Sequence, residues 1–158
     1  MVLTPAQKEA YARANTSQIV LWNLELRHPV WPTPIRVTQS FDGNKVETID
    51  FLLEDGAPID SGTTQTFAAL ALRLDPPKSG TDPDSGIQVQ ADGVSGVIQP
   101  LIAEANRSYF PITSTIRAYS FNVVTGIVGD QLAAINLDMQ KSSNNGTSVT
   151  MSFGNTNG

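Results

Sequence analysis

Cysteine does not occur in the 158 residues. Its absence excludes disulfides, thiolate metal sites, iron–sulfur clusters and a cysteine nucleophile. It does not point to a compartment, because a chain without cysteine folds in either redox setting. Histidine occurs once, as His28. That rules out His-pair metal sites and leaves triad chemistry with one base. Charge is scarce, at 16% of residues against the usual ~25%. Ten Lys and Arg face fifteen Asp and Glu, a net charge of −5. No basic field exists for a nucleic-acid backbone to meet, so no sequence-specific nucleic-acid binding is expected. The acidic excess lies wholly in the later part: residues 1–50 are balanced, and residues 51–158 carry five positive and ten negative side chains. No apolar run approaches the ~18 residues of a membrane span, and the opening MVLTPAQKEAYARA has no apolar signal core, so no export signal is expected.

What remains is a neutral-polar chain of one-domain length, read as a single domain over 1–158. Thr4, Pro5 and Gln7 form a helix start ahead of AQKEAYARA, which predicts a helix over about 5–14. From Ser17 the period changes to two. Val20, Trp22, Leu24 and Leu26 share one face of a strand of about ten residues, and Asn23, Glu25 and Arg27 share the other. Pro29, Pro32 and Pro34 make a rigid corner that no sheet interior admits. Ile35 to Thr38 resumes alternation and pairs back. Phe41 to Asn44 carries hairpin-turn chemistry. Val46 to Leu53, Phe67 to Leu74 and Ile87 to Ala91 are strand segments, with a Pro- and Gly-rich loop at 75–86. Ile98, Leu101, Ile102 and Ala105 give one apolar stripe, a second helix over about 98–106 with Pro100 in its first turn. Thr115 to Val124, Leu132 to Met139 and Val149 to Phe153 follow as strands, separated by Thr-Gly, Val-Gly-Asp and Asn-Asn-Gly, with a frayed tail at about 154–158. The fold class is mainly β with two short helices (α+β), an antiparallel sandwich or open barrel.

Each candidate for chemistry has a simpler structural reading. His28 could act as a base, but no GxSxG nucleophile accompanies it, and a histidine at a strand end hydrogen-bonds its corner. A hydrolase built on His28 with a distant Asp and Ser is thus the weakest reading. Asp75, Asp82 and Asp84 offer oxygen ligands, yet their spacing fits no EF-hand loop. Glu54 and Asp55 are adjacent on a strand and face opposite ways, so they end a strand instead of flanking one bond. No GxxxxGK[ST] phosphate loop is present. Trp22 sits on the apolar strand face and belongs to the core. Trp31 lies between prolines and is expected to be exposed, a candidate contact with another subunit. No catalytic, cofactor or metal constellation emerges. An alternative is a carbohydrate- or surface-binding module with Trp22, Trp31 and Tyr119 as its platform.

Leu24-Glu25-Leu26-Arg27-His28-Pro29, followed by Pro34-Ile35-Arg36-Val37, resembles a family of phage proteins in which a Leu-Glu-(Ile/Leu)-x-His-Pro motif leads into Pro-Ile-Arg. The opening Leu3-Thr4-Pro5-Ala6-Gln7 with Glu9-Ala10-Tyr11-Ala12 is also similar. So is the middle, where Phe67 to Leu74 leads to Asp-Pro-Pro, an Ile-Gln-Val strand, and Asp92-Gly93-Val94 before a helix ending ahead of Arg107. The likeness covers most of residues 1–125. Relatives tend to have Asp-Asn where this chain has Asp92-Gly93. The family is of unknown function but is encoded among the tail genes of long-tailed phages, near the minor tail proteins of the tail tip. The resemblance therefore implies a virion protein made in the host cytoplasm: a structural tail-tip or baseplate component, with no enzyme activity and no cofactor. Its implied partners are tail tube, hub or fibre proteins and copies of itself in a ring. Leu24, Glu25, His28, Pro29, Pro34, Ile35 and Arg36 would serve structure or an interface. Edge strands and long loops suit such contacts.

Overall fold

The computed structural model describes Pro5 and residues 17–41, 47–75, 86–92, 95–144 and 148–154. Outside them lie most of the first predicted helix (5–14), the turn after Phe41, most of the 75–86 loop, Gly93 and Val94, most of the Asn-Asn-Gly turn and most of the tail.

The period-two pattern from Gln18 yields β1 (Gln18–Arg27). The proline corner ends it, and β2 (Ile35–Gln39) returns antiparallel, with Leu24 opposite Val37 and Glu25 opposite Arg36. β3 (Thr48–Leu52) and β4 (Thr64–Leu70) form an antiparallel pair joined by loop 53–63. β5 (Leu72–Asp75) follows after the single residue Ala71 and pairs with β6 (Ile87–Asp92). A helix, α1 (Ser95–Asn106), precedes β7 (Thr113–Asn122), β8 (Val128–Asn144) and β9 (Ser148–Gly154). All nine strands join one sheet in the order β3-β4-β2-β1-β7-β8-β9-β6-β5. β1 and β7 lie inside it, paired over ten residues from Gln18 opposite Asn122 to Arg27 opposite Thr113.

The sequence reading needs three corrections. The sheet is mixed, because β2 and β4 run parallel. A parallel pair needs a crossover, and here β3 and its loop supply it. α1 begins three residues earlier than expected, so Pro100 stands in its second turn and not its first. A helical proline costs one backbone bond, here to the carbonyl of Gly96, and apolar burial of Ile98, Ile102 and Ala105 against the sheet offsets that cost. Val128-Gly129-Asp130 opens β8 and is not a turn. The turn lies at the Thr-Gly signal alone, with Gly126 at φ +73°.

The alternation at Leu70, Leu72 and Leu74 continues through Ala71, but the hydrogen-bonding partners change. Before Ala71 the chain pairs with β2 and β3; after it, with β6. One nearly continuous stretch thus serves both ends of the sheet. The Gln39 amide donates to the Leu72 carbonyl across that junction.

Two apolar clusters result. The larger gathers Leu24, Leu26, Ile116, Val89, Met151 and Phe153 with the stripe of α1. The smaller lies on the opposite face of β1 and β7. It packs Leu21, Tyr119 and Phe121 against Phe51 and Phe67, whose rings meet edge to face with centroids 5.2 Å apart. The central strands are therefore buried on both faces, although their sequences alternate apolar and polar.

Candidate docking site

Burial of the polar face of β1 has a cost, and the structure meets it with a charge network. Glu25 is fully buried. Its carboxylate accepts from Arg27 at 2.5 Å and from Arg36 at 2.8 Å, with Arg117 at 3.6 Å. Arg117, also fully buried, donates to Glu54 at 2.7 Å. Arg36 reaches outward to Asp60 at 2.7 Å. Arg27 also donates to Thr115, whose hydroxyl donates to Asn136. Three guanidiniums thus face three carboxylates, with Glu25 at the centre. The side-chain amide of buried Asn23, beside this network in register with Arg117, has no protein hydrogen-bond partner.

The network fastens loop 53–63. Glu54 and Asp60 are its two anchors, one on Arg117 and one on Arg36. The loop is tightened from within: the Glu54 carbonyl accepts from Ala57 and Gly62, and the Asp60 carbonyl accepts from the Thr63 amide and hydroxyl. Asp60 sits at φ +56°, a conformation aspartate tolerates better than most residues. Sequence reasoning took Glu54 only as the end of a strand. Its partners Arg117 and Gln131 lie 63 and 77 residues away, beyond any local signal.

Burial pushes the Glu54 carboxyl upward, but hydrogen bonds from Arg117 and Gln131, and the Arg117 charge, outweigh it and hold the group at about 2. A folded-state value below the unfolded one stabilises at pH above the ordinary 4.5 and loses that contribution as pH falls toward 2. We expect urea unfolding of the wild type to weaken by about 1–2 kcal/mol more between pH 7 and pH 3 than that of Glu54→Gln, the figure being reduced because water reaches this carboxyl. Equal losses in the two proteins would show that Glu54 is not the titrating anchor. Burial likewise raises the Tyr119 phenol above its usual value, with nearby Glu54 and Glu25 acting in the same direction. The hydroxyl donates to the Leu52 carbonyl at 2.6 Å and accepts from Gln131.

The motif corner lies at the end of β1, beside loop 53–63. The Nδ1 of His28 accepts from the Val30 amide at 3.1 Å, and its Nε2 lies 2.9 Å from the Phe110 carbonyl. That pattern suits the neutral ring protonated on Nε2. Both nitrogens are thus hydrogen-bonded within the chain, one to the corner and one to the segment before β7. Trp31 corrects the sequence reading. It is 7% exposed, packs in the larger core, and its indole N–H donates to the Leu101 carbonyl of α1 at 3.0 Å. Prolines on both sides turn the ring inward over the helix. Trp22 is partly buried against the same core, and Tyr119 is buried, so Trp22, Trp31 and Tyr119 form no exposed aromatic platform.

Around the corner is an open cleft of about 450 Å³. Pro29, Trp31, Pro32 and Pro34 line one side, Pro58 and Ile59 of the clamped loop another, and Phe110 and Pro111 a third. Phe110 is 64% exposed, and Val30 at the corner is exposed as well. Of the cleft's charged or titratable groups, Arg27 is ion-paired and His28 is hydrogen-bonded; no carboxylate lines it. Thr33 and Thr113 are its hydroxyls, and neither has a carboxylate–imidazole pair at hand. Of the motif residues, Glu25 and Arg36 build the network, His28, Pro29 and Pro34 shape the cleft, Leu24 is in the core, and Ile35 packs against it. Among the described residues no cluster of His, Asp and Glu could hold a metal ion; Asp75 ends β5, and Asp82 and Asp84 lie outside the described residues. No helix among them is long and apolar enough to cross a membrane.

Proline walls, internal hydrogen bonds and a clamped loop make this surface rigid, apolar and poor in reactive groups, which suits it to docking. No curated protein matches the chain. A family model matches residues 6–156, nearly its whole length, and the chain belongs to that family, a domain of unknown function (DUF1833).

Proposed function

We propose that this protein is a structural component of a phage virion, a minor tail protein of the tail tip or baseplate. In this reading it joins tail tube to hub or fibre by protein–protein contacts and acts without making or breaking a bond. The observation that carries the reading is the cleft. Most of the residues that resemble the phage family's motif wall it or build the network that fastens its loop, and its Arg27 and His28 are already paired within the chain. A surface of that kind recognises an apolar shape on a neighbour. The finer architecture we read as an open barrel, because the segment around Ala71 serves both ends of the sheet.

The test is made in the phage that encodes the chain. Particles without the protein should show failed tail tips by negative-stain microscopy. Phe110→Asp, at a mostly exposed position, should give a folded protein that tails fail to incorporate. Infectious particles with normal tips in the absence of the protein would end the reading.

A further inference from the structure

Some polar atoms at the centre of the sheet find no partner among the described residues. Asn23 is 0% exposed, and neither the oxygen nor the nitrogen of its side-chain amide meets a protein group. Reversing the amide changes nothing, because both ends are unpaired. Arg117 stands directly opposite Asn23 in β7, and its Nη1 is unpaired as well. Its Nε donates to Glu54 at 2.7 Å, whereas Nη1 stays 3.6 Å from Glu25, too far for a hydrogen bond. On the other side, in β2, fully buried Thr38 is opposite Asn23. Its hydroxyl reaches the backbone carbonyls of Trp22 and Gln39, both at the long distance of 3.4 Å. Residues directly opposite each other share a face of the sheet. Three neighbouring strands therefore set an amide, a guanidinium nitrogen and a weakly held hydroxyl in one buried row.

A buried amide with neither end paired is costlier than an apolar side chain in its place. The row Leu21, Asn23, Glu25 would accept one, since Leu21 begins it in the smaller apolar cluster. Asn23 and Thr38 are also the short side chains here. Leu21 and Glu25 flank Asn23 along β1, and Arg117 lies across from it; all three are longer.

We propose that Asn23, Arg117 and Thr38 form a binding site for an ordered internal water molecule, held over the two short side chains. Water is what this set of donors and acceptors selects. It accepts from Arg117 Nη1 and donates to the amide oxygen of Asn23. The Thr38 hydroxyl, which both donates and accepts, serves the other end of the amide. An anion would suit the guanidinium but not the amide oxygen, and Glu25, Glu54 and Asp60 already balance the three arginines. Arg117 repels a cation. The water ties the unpaired corner of Arg117 to β1, and Arg117 is the residue that anchors Glu54 of loop 53–63. A half-satisfied buried network is loose, and a completed one is rigid.

The test uses the whole chain. Oxygen-17 relaxation dispersion counts long-lived internal waters and is blind to protons exchanging from Thr38 or Arg117. Asn23→Leu should hold one such water fewer than the wild type. A high-resolution crystal structure of the wild type, which does not depend on the variant folding, should show a solvent peak within hydrogen-bond reach of both Asn23 and Arg117 Nη1. Equal water counts in the two proteins would overturn the proposal. So would a crystal structure in which the Asn23 amide bonds Arg117 or Thr38 directly with no peak between them. A peak that becomes anomalous after a bromide soak would mark an anion and overturn it as well.

Discussion

Glu25→Gln is expected to cost about 3–5 kcal/mol of folding stability, the range seen when one partner of a buried ion pair is removed. The substitution keeps the size of the side chain and deletes only the charge. Glu25 is the carboxylate common to Arg27, Arg36 and Arg117. Without it, three guanidiniums converge on a neutral amide whose NH2 group donates where Arg27 or Arg36 also donates. Arg117 keeps Glu54 and Arg36 keeps Asp60, but both of those partners are nearer to water than Glu25. Arg117 has no route to solvent, so the excess positive charge stays buried. At roughly 2–4 °C per kcal/mol for a chain of this size, the thermal midpoint should fall by roughly 6–20 °C. Asp60→Asn is the control. It removes an ion pair whose carboxylate is 39% exposed, and should cost less than about 1 kcal/mol. Chemical denaturation of the two variants side by side decides the matter. A loss below 1 kcal/mol for Glu25→Gln would mean that Arg27 and Arg36 reorient to water at no cost, and the network would not be what holds loop 53–63.

The contrast between these two carboxylates also shows what a sequence can and cannot reveal. Leu24 and Leu26 announce their burial by alternation, and β1, β2, β6 and α1 follow from such local periods. The burial of Asn23 and Glu25 does not, because the cover on that face comes from β3 and from a loop thirty residues on. One signal was available. Glu25 and Arg36 lie opposite each other in the first antiparallel pair, and opposite charges across a pair are a common stabilising device. The pairing with Arg117 had no such cue. The same limit applies at Ala71. Leu70, Leu72 and Leu74 read as one strand, and side-chain direction is all that alternation encodes; which strand accepts the hydrogen bonds is set by segments far along the chain. The cleft was half legible. His28 and the prolines marked a corner, but Pro58, Ile59 and Phe110 reach it from distant segments.

The edges of the sheet bear on how such a chain associates. Exposed edge strands were the expected means of contact. β3, one such edge, is five residues long and carries Asp50 at its middle. β8 leaves part of one side unpaired among the described residues, and its pairing with β7 is interrupted by two register shifts. Charge, shortness and bulges are the usual devices that discourage strand addition. With these edges blunted, strand addition is a poorer fit to the proposed docking role than the side-chain surface of the cleft.

Trp31→Ala should be as damaging as Glu25→Gln, at about 3–5 kcal/mol, and for a different reason. The ring fills the junction between the proline corner and α1, and its N–H holds the Leu101 carbonyl. The His28 ring stands beside it, with centroids 5.6 Å apart. Truncation opens a cavity that the corner cannot collapse to fill, because Pro29, Pro32 and Pro34 fix the backbone on either side. Trp31→Phe separates the two contributions. It keeps most of the apolar contact, loses the hydrogen bond, and should cost about 1–2 kcal/mol. Phe110→Ala, in the same cleft, removes a mostly exposed side chain and should stay within about 0.5 kcal/mol of wild type. The pair therefore assigns different work to two rings a short distance apart: Trp31 holds the cleft open from beneath, and Phe110 presents its surface. Denaturant midpoints for the three variants give the answer directly. If Trp31→Ala unfolds within 1 kcal/mol of wild type, the corner is shaped by its prolines alone and the helix contact is incidental.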